Sequence, residues 1–361
     1  MIAQGLDEAK LIVDQCFKSA LAINILSDEK RKQIVEAIGE SLLANKQKIV
    51  EANEKDLALL PDTDPKKDRL LLNEKRIEDM AKSAREIAAM DDPSQKVLER
   101  TLENGLKLEK HMVPIGVVGV IYESRPNVTV DIALLTLRSG NAAVLKGGKE
   151  AWESNRCLVG LIKKVLKDHQ VDEATVSLLG IDRSHTQYLL SARGLVDVII
   201  PRGSDELIQY VRENSSVPVI ETGAGVCHTY VEASADVAMA SKLIINAKTQ
   251  RPAVCNAMDT MILDAKIAEG LLSQVADGLK AYDVQIFADD RSYDILSSLK
   301  YPFLDRAQES DFGKEFLSFA CSVKVIDGFE EALEHIRKYS SKHSETIVTE
   351  NSELAEIFLR K

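Results

Sequence analysis

One cysteine lies in the segment NAKTQRPAVCNAMDT, residues 246–260, after a run with helical apolar spacing (DVAMASKLIINAK) and before a short strand-like run (TMIL). Cys255 has two readings. Free cysteine is among the most buried residue types, so the bland one is a thiol filling a gap in the core. The chemical one is a nucleophile presented by a loop: a thiolate attacks carbonyl carbon, and hydride from a nicotinamide can then reduce the thioester. The tetrahedral intermediate needs an oxyanion hole, and the candidates are the N–H of Cys255 and a donor from YESRPNV, which holds Arg125 and Asn127. The other cysteines read as structural: Cys16 and Cys157 fall in helical stretches, Cys227 and Cys321 beside strand starts.

Three further features stand at strand ends. Lys146 follows the strand-like NAAVL and opens KGGKEA, where Gly147 and Gly148 allow close backbone approach and Lys146 and Lys149 offer positive charge. PRGSDEL follows LVDVII and puts Gly203 and Ser204 at a helix N-terminus, a ready anion site. ETGAG follows VPVI and puts Glu221 at the end of a third strand, two residues before Gly223. Singly each has an ordinary reading, a Gly-Ser helix cap or a solvated lysine in a turn. All three fall at the same end of one parallel sheet, the end where such sheets bind ligands. No GxGxxG dinucleotide fingerprint is present in this block.

The elements that must position these residues follow from the apolar pattern. The first hundred residues read as helical and charged, with Ser27 as the N-cap of DEKRKQIVEAIGESLLANKQKIVEANEKDL, a solvated helical layer covering a sheet. From Gly116 the texture changes. GVVGVIY, NAAVL, TVSLL, LVDVII and VPVIE read as strands buried on both faces, and NVTVDIALLTLR, WESNRCLVGLIKKVLKDH, SHTQYLLSA and DELIQYVRE as the helices between them. Ser139 and Gly140 supply a C-terminal cap. A second α/β block runs from about Val226, with strands TMILD, DVQIFA, SVKVI and ETIVT, and the chain ends on the helix NSELAEIFLRK. The expected fold is α/β: two doubly wound domains, 1–225 and 226–361, behind an N-terminal helical layer, with a cleft between them.

Composition narrows the function. With 361 residues the chain is long enough for two or three domains. Its net charge of −11 argues against a nucleic-acid binder, which needs a basic footprint. No apolar run approaches membrane-spanning length, and MIAQGLDEAK has no signal-peptide pattern, so a cytoplasmic protein is expected. The five cysteines are spread and form no CxxC pair, and the six histidines form no HxxH, so no metal is expected.

The chain resembles the aldehyde dehydrogenase superfamily, and within it the branch that reduces gamma-glutamyl phosphate in proline biosynthesis. The stretches that carry the resemblance are VPIGVVGVIYESRPNVTVDIALLTLRSGNAAVLKGGKEAWESN, DVIIPRGSDELIQYVRENSSVPVIETGAGVCHTYV, NAKTQRPAVCNAMDT and KYSSKHSETIVTE. It covers essentially the whole chain. By resemblance Cys255 matches the catalytic cysteine, with Asn127 beside it at the catalytic centre. Lys146 matches the cofactor-contacting lysine, Gly203 and Ser204 the cofactor loop, with Gly147 and Gly223 counted alongside, and Glu221 the strand-end glutamate. The implied reaction is NADPH-dependent reduction of L-glutamyl 5-phosphate to L-glutamate 5-semialdehyde and phosphate through a Cys255 thioester. That direction activates no water, so Glu221 is read as structural or tuning rather than as a required base. Lys149 stands where NAD-preferring relatives often carry an acidic residue and would favour the 2′-phosphate of NADP. Arg125 and Arg251, with Asn256, are candidates for holding the substrate's carboxylate or phosphate; surface ion pairs are the arginines' bland reading. The resemblance further implies a homo-oligomer, dimer or tetramer, and a contact with the glutamate kinase of the same pathway. Family members continue past the position of Lys361 with a segment containing NAS and an EFGLG-like stretch, so the family's C-terminal segment is expected to be missing here. The alternatives are a coenzyme A-acylating aldehyde dehydrogenase and a shortened, inactive nucleotide-binding form.

Overall fold

The computed structural model describes residues 2–61, 64, 66–221 and 225–360. It divides into two compact units, Met1–Thr222 and Gly223–Lys361.

The first unit opens with helices α1 (Ile2–Asn24), α2 (Asp28–Ala44), α3 (Lys46–Leu57), α4 (Lys66–Leu70) and α5 (Glu74–Ala88). Ser27 caps α2 by accepting the N–H of Lys30 at 3.3 Å. The charged run read as one helix is two. The Asn45 side chain donates to the Ser41 carbonyl at 2.7 Å and its backbone leaves the helical region, so α2 closes and α3 starts afresh.

The reading of an all-helical first hundred residues also needs correction. Strands β1 (Lys96–Thr101) and β2 (Lys107–His111) form an antiparallel hairpin exposed along its whole length. The signal was an Asn-Gly turn: Gly105 lies at φ 82°, and the Asn104 side chain accepts the N–H of Leu106 at 3.1 Å.

The core of this unit is a parallel sheet of β3 (Val117–Tyr122), β4 (Ala142–Lys146), β5 (Val176–Leu178) and β6 (Val198–Arg202), in the order β5-β4-β3-β6. Helices α6 (Pro126–Arg138), α7 (Trp152–Asp168), α8 (Arg183–Ser191) and α9 (Asp205–Asn214) connect and flank the strands. Alternation along β3 shows how both faces are filled. Val118, Val120 and Tyr122 join the core under α2, α5, α6 and α7, while Val117 and Ile121 join the one under α1 and α8. Gly140, at φ 74°, ends α6 in the left-handed cap that Ser139-Gly140 predicts. VPVIE does not form a full strand. Val219 makes a single parallel bridge to Ile199, because Pro218 lacks the N–H that would continue the ladder.

The second unit contains β7 (His228–Val231), α10 (Val237–Thr249), β8 (Thr260–Asp264), α11 (Ala265–Lys280), β9 (Gln285–Ala288), α12 (Asp290–Ser298), β10 (Leu304–Arg306), β11 (Ala320–Ile326), α13 (Phe329–Tyr339), β12 (Glu345–Val348) and α14 (Ser352–Arg360). Its sheet is parallel, in the order β10-β9-β11-β8-β7-β12. Helices α10, α11 and α12 pack on one face and α13 on the other. Strands β7 and β10 and helix α12 were not foreseen. β7 begins on a histidine and spans four residues, and β10 spans three, too short for periodicity to register.

Candidate active site

In the first unit the candidates gather at the carboxyl edge of the sheet. Register sets this: Lys146 on β4 lies opposite Ile121 on β3, and Arg202 on β6 lies opposite Tyr122. The segments that follow these strands carry Asn127, Lys149 and Ser204.

Lys146 is the last residue of β4 and is buried, rather than a solvated turn lysine. Its ammonium donates to the Gly147 carbonyl at 3.2 Å. Burial pulls its pKa below the ordinary value, opposed by the charges of Glu150 and Asp182. Gly147 must be glycine, since a Cβ there would lie 2.3 Å from Asn155 Nδ2 and 3.3 Å from the Tyr122 ring. Lys149 is exposed at the start of a single 3-10 turn.

The loop after β3 is strained. Ser124 sits at φ 42°, the left-handed region, and is held there because its N–H and its hydroxyl both donate to Glu150 Oε1 at 2.7 Å. This contact joins the β3 and β4 loops, and neither residue was singled out from sequence. Arg125 follows as the residue before α6, with Pro126 at the first helical position and Asn127 next. The Asn127 side-chain amide donates to Asp131 Oδ2 at 3.2 Å, leaving its second N–H for another acceptor.

At α9 the Ser204 hydroxyl caps the helix, accepting from Leu207 N–H at 3.4 Å. The N–H of Ser204 donates to Glu123 Oε2 at 2.9 Å, so a carboxylate already occupies the anion position that this helix end offers. A Cβ on Gly203 would lie 2.6 Å from that carboxylate. Glu221 accepts from Arg212 at 3.3 Å through Oε1, while Oε2 is buried without a partner. Gly223 lies outside the described residues.

In the second unit Cys255 is exposed, on a turn-rich loop between α10 and β8. The default of a buried thiol fails for this residue and holds for Cys16, Cys227 and Cys321. What holds the loop lies beneath it. The Cys227 thiol donates to the Cys255 carbonyl at 3.1 Å, and its pKa is pushed up to about 12 by burial, then by the charges of Asp259, Glu345 and Cys255. It therefore remains a donor rather than a competing nucleophile. Gly225 packs against the same carbonyl so closely that a Cβ would lie 2.1 Å from the oxygen. The fully buried Lys248 donates to the Met258 carbonyl at 2.8 Å, 4.0 Å from Asp259. Asp259 in turn accepts from the N–H groups of Phe316 and Cys227 at 2.9 and 3.3 Å. Arg251 and Asn256 share the loop with Cys255, and both are exposed. Sequence reading set Cys227 aside as structural and missed Lys248 and Asp259, whose contacts span strands far apart in the chain.

Comparison with known proteins decides the family. Residues 7–295 match the family model described as the aldehyde dehydrogenase family. The chain is 47% identical over 339 residues to the gamma-glutamyl phosphate reductase of Chlorobium phaeobacteroides, covering 93% of this chain and 81% of that one. The chain belongs to the aldehyde dehydrogenase family, among its gamma-glutamyl phosphate reductases. A Bacteroides thetaiotaomicron protein of the same name is 46% identical over 339 residues, with the same coverages. Among solved structures, the gamma-glutamyl phosphate reductase of Thermotoga maritima superposes with a TM-score of 0.91 at 36% identity, over 98% of this chain and 85% of that one. An acetylating aldehyde dehydrogenase from Geobacillus thermoglucosidasius, at 16% identity and a TM-score of 0.68 over 99% of this chain and 84% of that one, shares the fold.

Membership makes the chain an oxidoreductase of proline biosynthesis that works with a nicotinamide cofactor, and it disfavours the coenzyme A-acylating alternative. At the sheet edge the α9 terminus holds the Glu123 carboxylate, and Gly147 is packed against Asn155 and Tyr122 beside the buried Lys146. No helix among the described residues is long and apolar enough to cross a membrane.

Proposed function

We propose that the chain reduces L-glutamyl 5-phosphate to L-glutamate 5-semialdehyde through a thioester on Cys255, with NADPH as the hydride donor. The observation that carries this reading is the exposure of Cys255 on a loop whose backbone is pinned from below by Cys227 and Gly225. The Cys255 thiolate attacks the acyl carbon, a C–S bond forms, and the carbonyl electrons move onto oxygen. The N–H of Cys255 is the donor assigned to that oxyanion, and by family resemblance the amide of Asn127 is the other. Collapse of the adduct expels phosphate with the electron pair of the broken C–O bond and leaves the thioester. NADPH held by the residues assigned below would supply hydride to the thioester carbon, and breaking of the C–S bond then returns Cys255 as thiolate.

Lys146, Gly147, Gly203, Ser204 and Gly223 are assigned to the nucleotide, with Lys149 opposite the 2′-phosphate of NADP. The exposure of Lys149 supports that assignment, since a phosphate can reach it from solvent. Arg125, Arg251 and Asn256 are assigned to the substrate's phosphate. Glu221 tunes the site rather than acting as a base; its Oε1 accepts from Arg212, which fixes the carboxylate in place. We assign the first unit to the nucleotide and the second to the nucleophile. A cytoplasmic homo-oligomer goes with this reading, supported by the exposed apolar Val97, Leu98, Leu106 and Leu108 of the hairpin, and contact with a glutamate kinase is part of it.

The test runs the reaction backwards. Glutamate semialdehyde, inorganic phosphate and NADP⁺ are expected to yield phosphate-dependent NADPH formation that Cys255→Ala abolishes. Reduction that ignores phosphate, or that survives Cys255→Ala, would refute the assignment.

A further inference from the structure

A cavity of about 280 Å³ lies in the first unit among α4, α5 and α6, and Asn127 is part of its wall. Arg69, Arg76, Asp79, Ser83 and Asp131 line it too, over an apolar floor that includes Met80. Two arginines and two aspartates thus share one cavity, yet among the described residues no ion pair joins either arginine to either of these aspartates. Arg76 is instead fixed from behind, donating to the Leu71 carbonyl at 2.9 Å and to Asp68 Oδ1 at 2.9 Å. Asp131 accepts from Asn127 and has no cationic partner among the described residues.

We propose that this cavity seats the α-amino-acid end of the substrate, with Asp131 taking the α-ammonium and Arg69 and Arg76 the α-carboxylate. The proposal rests on the reaction proposed above and adds how that reaction selects an amino acid. A wall carrying both arginines and aspartates, with Arg76 held by Asp68 and with Asp131 lacking a cation among the described residues, suits a zwitterion better than a simple anion. Arginine forks match carboxylates in plane and spacing, and the fixing of Arg76 means little freedom is lost on binding. Burial raises the pKa of Asp131, which only the Asn127 hydrogen bond opposes, as for a carboxylate short of a cation. The bland account is an Asn-Asp pair one turn apart on a helix. It explains the hydrogen bond, but not the two arginines held without pairing to Asp131 in the same cavity.

The experiment measures dissociation constants by ligand-observed NMR for L-glutamate, for glutarate, which lacks the ammonium, and for 4-aminobutanoate, which lacks the α-carboxylate. Wild type should bind L-glutamate at least tenfold more tightly than glutarate. Asp131→Asn, whose amide oxygen can still accept from Asn127, should erase that ratio. Arg69→Gln, at an exposed position, should weaken L-glutamate severalfold and leave 4-aminobutanoate unchanged, and it tests the site even if the Asp131 variant does not fold. Absent discrimination in wild type, or a ratio that survives Asp131→Asn, would overturn the proposal. Correct ratios in a chain without phosphate-dependent NADP⁺ reduction would instead sink the reaction while this site stood. Normal turnover with unchanged selectivity would do the reverse.

Discussion

Gly225→Ala separates the presence of the nucleophile from its placement. The added Cβ would lie 2.1 Å from the Cys255 carbonyl oxygen, 2.9 Å from its carbonyl carbon and 3.0 Å from its Cα. All three are backbone atoms, so no side-chain rotation relieves the clash. Opening the shortest contact to the ~3.3 Å of a close C···O approach moves the Cys255 backbone by roughly 1 Å. The same movement disrupts the 3.1 Å hydrogen bond from the Cys227 thiol. A misplacement of that size costs about 100-fold in rate. Stability should suffer less. Overpacking costs about 1–3 kcal/mol, and the low end applies because the loop around Cys255 is largely exposed and can yield. The assay pairs initial rates of phosphate-dependent NADP⁺ reduction with iodoacetamide labelling of Cys255 and a thermal melt. We expect turnover down about 100-fold, labelling nearly unchanged, and a melt lowered by only a few degrees. Gly270→Ala is the control: its Cβ would meet nothing within 4 Å in the middle of α11, so it should stabilise by up to about 1 kcal/mol and leave the rate alone. Turnover in Gly225→Ala within threefold of wild type would refute the claim that this contact sets the position of Cys255.

Three other outcomes follow from named contacts. Lys149→Glu should reverse the preference between NADP⁺ and NAD⁺ by at least tenfold in kcat/KM, and an unchanged ratio would remove Lys149 from the 2′-phosphate. His335 is buried against Phe312, Tyr339 and His228, and burial first, then the His228 and Lys324 charges, lower its pKa to about 3. Because the folded value is depressed, its stabilising effect is full above the unfolded value near 6.5 and is lost as pH falls towards 3, at up to about 1.4 kcal/mol per pH unit. Denaturant melts at pH 6.5 and 5 should therefore diverge more in wild type than in His335→Phe; equal pH slopes would contradict this. Asp56, buried, accepts from Glu153 N–H, Ser154 N–H and the Ser154 hydroxyl at 3.1, 2.8 and 2.6 Å, holding the start of α7. Asp56→Ala strips three donors of their acceptor and should destabilise the first unit by about 2–3 kcal/mol, read from urea midpoints, whereas a loss under 0.5 kcal/mol would mean that water replaces the carboxylate.

Local signals in the sequence carried the elements whose determinants are local. Ser27 before α2, Gly140 after α6 and the unbroken apolar run of β3 each act through neighbours within a few residues, so their outcome could be read in the chain. The hairpin was legible too, in Asn104-Gly105, and was missed because the charged context suggested helix. The candidate residues Lys146, Ser204 and Asn127 were found from their types and their positions after strands. VPVIE failed as a strand because a strand exists only through its partner, and Pro218 limits that partnership to one bridge.

What the sequence by itself determined was the alternation of strands and helices, and with it a parallel sheet whose carboxyl edge collects Lys146, Ser204 and Asn127. What only the tertiary structure decided was each group's state. Lys146 is buried and Cys255 exposed; Glu123 fills the anion position of α9; Ser124 is strained onto Glu150; Asp131 shares a cavity with two arginines it does not pair with. The physical reason is that burial and electrostatic pairing are set by atoms brought close in space from distant points of the chain, Ser204 and Glu123 being 81 residues apart. Periodicity and capping depend only on neighbours.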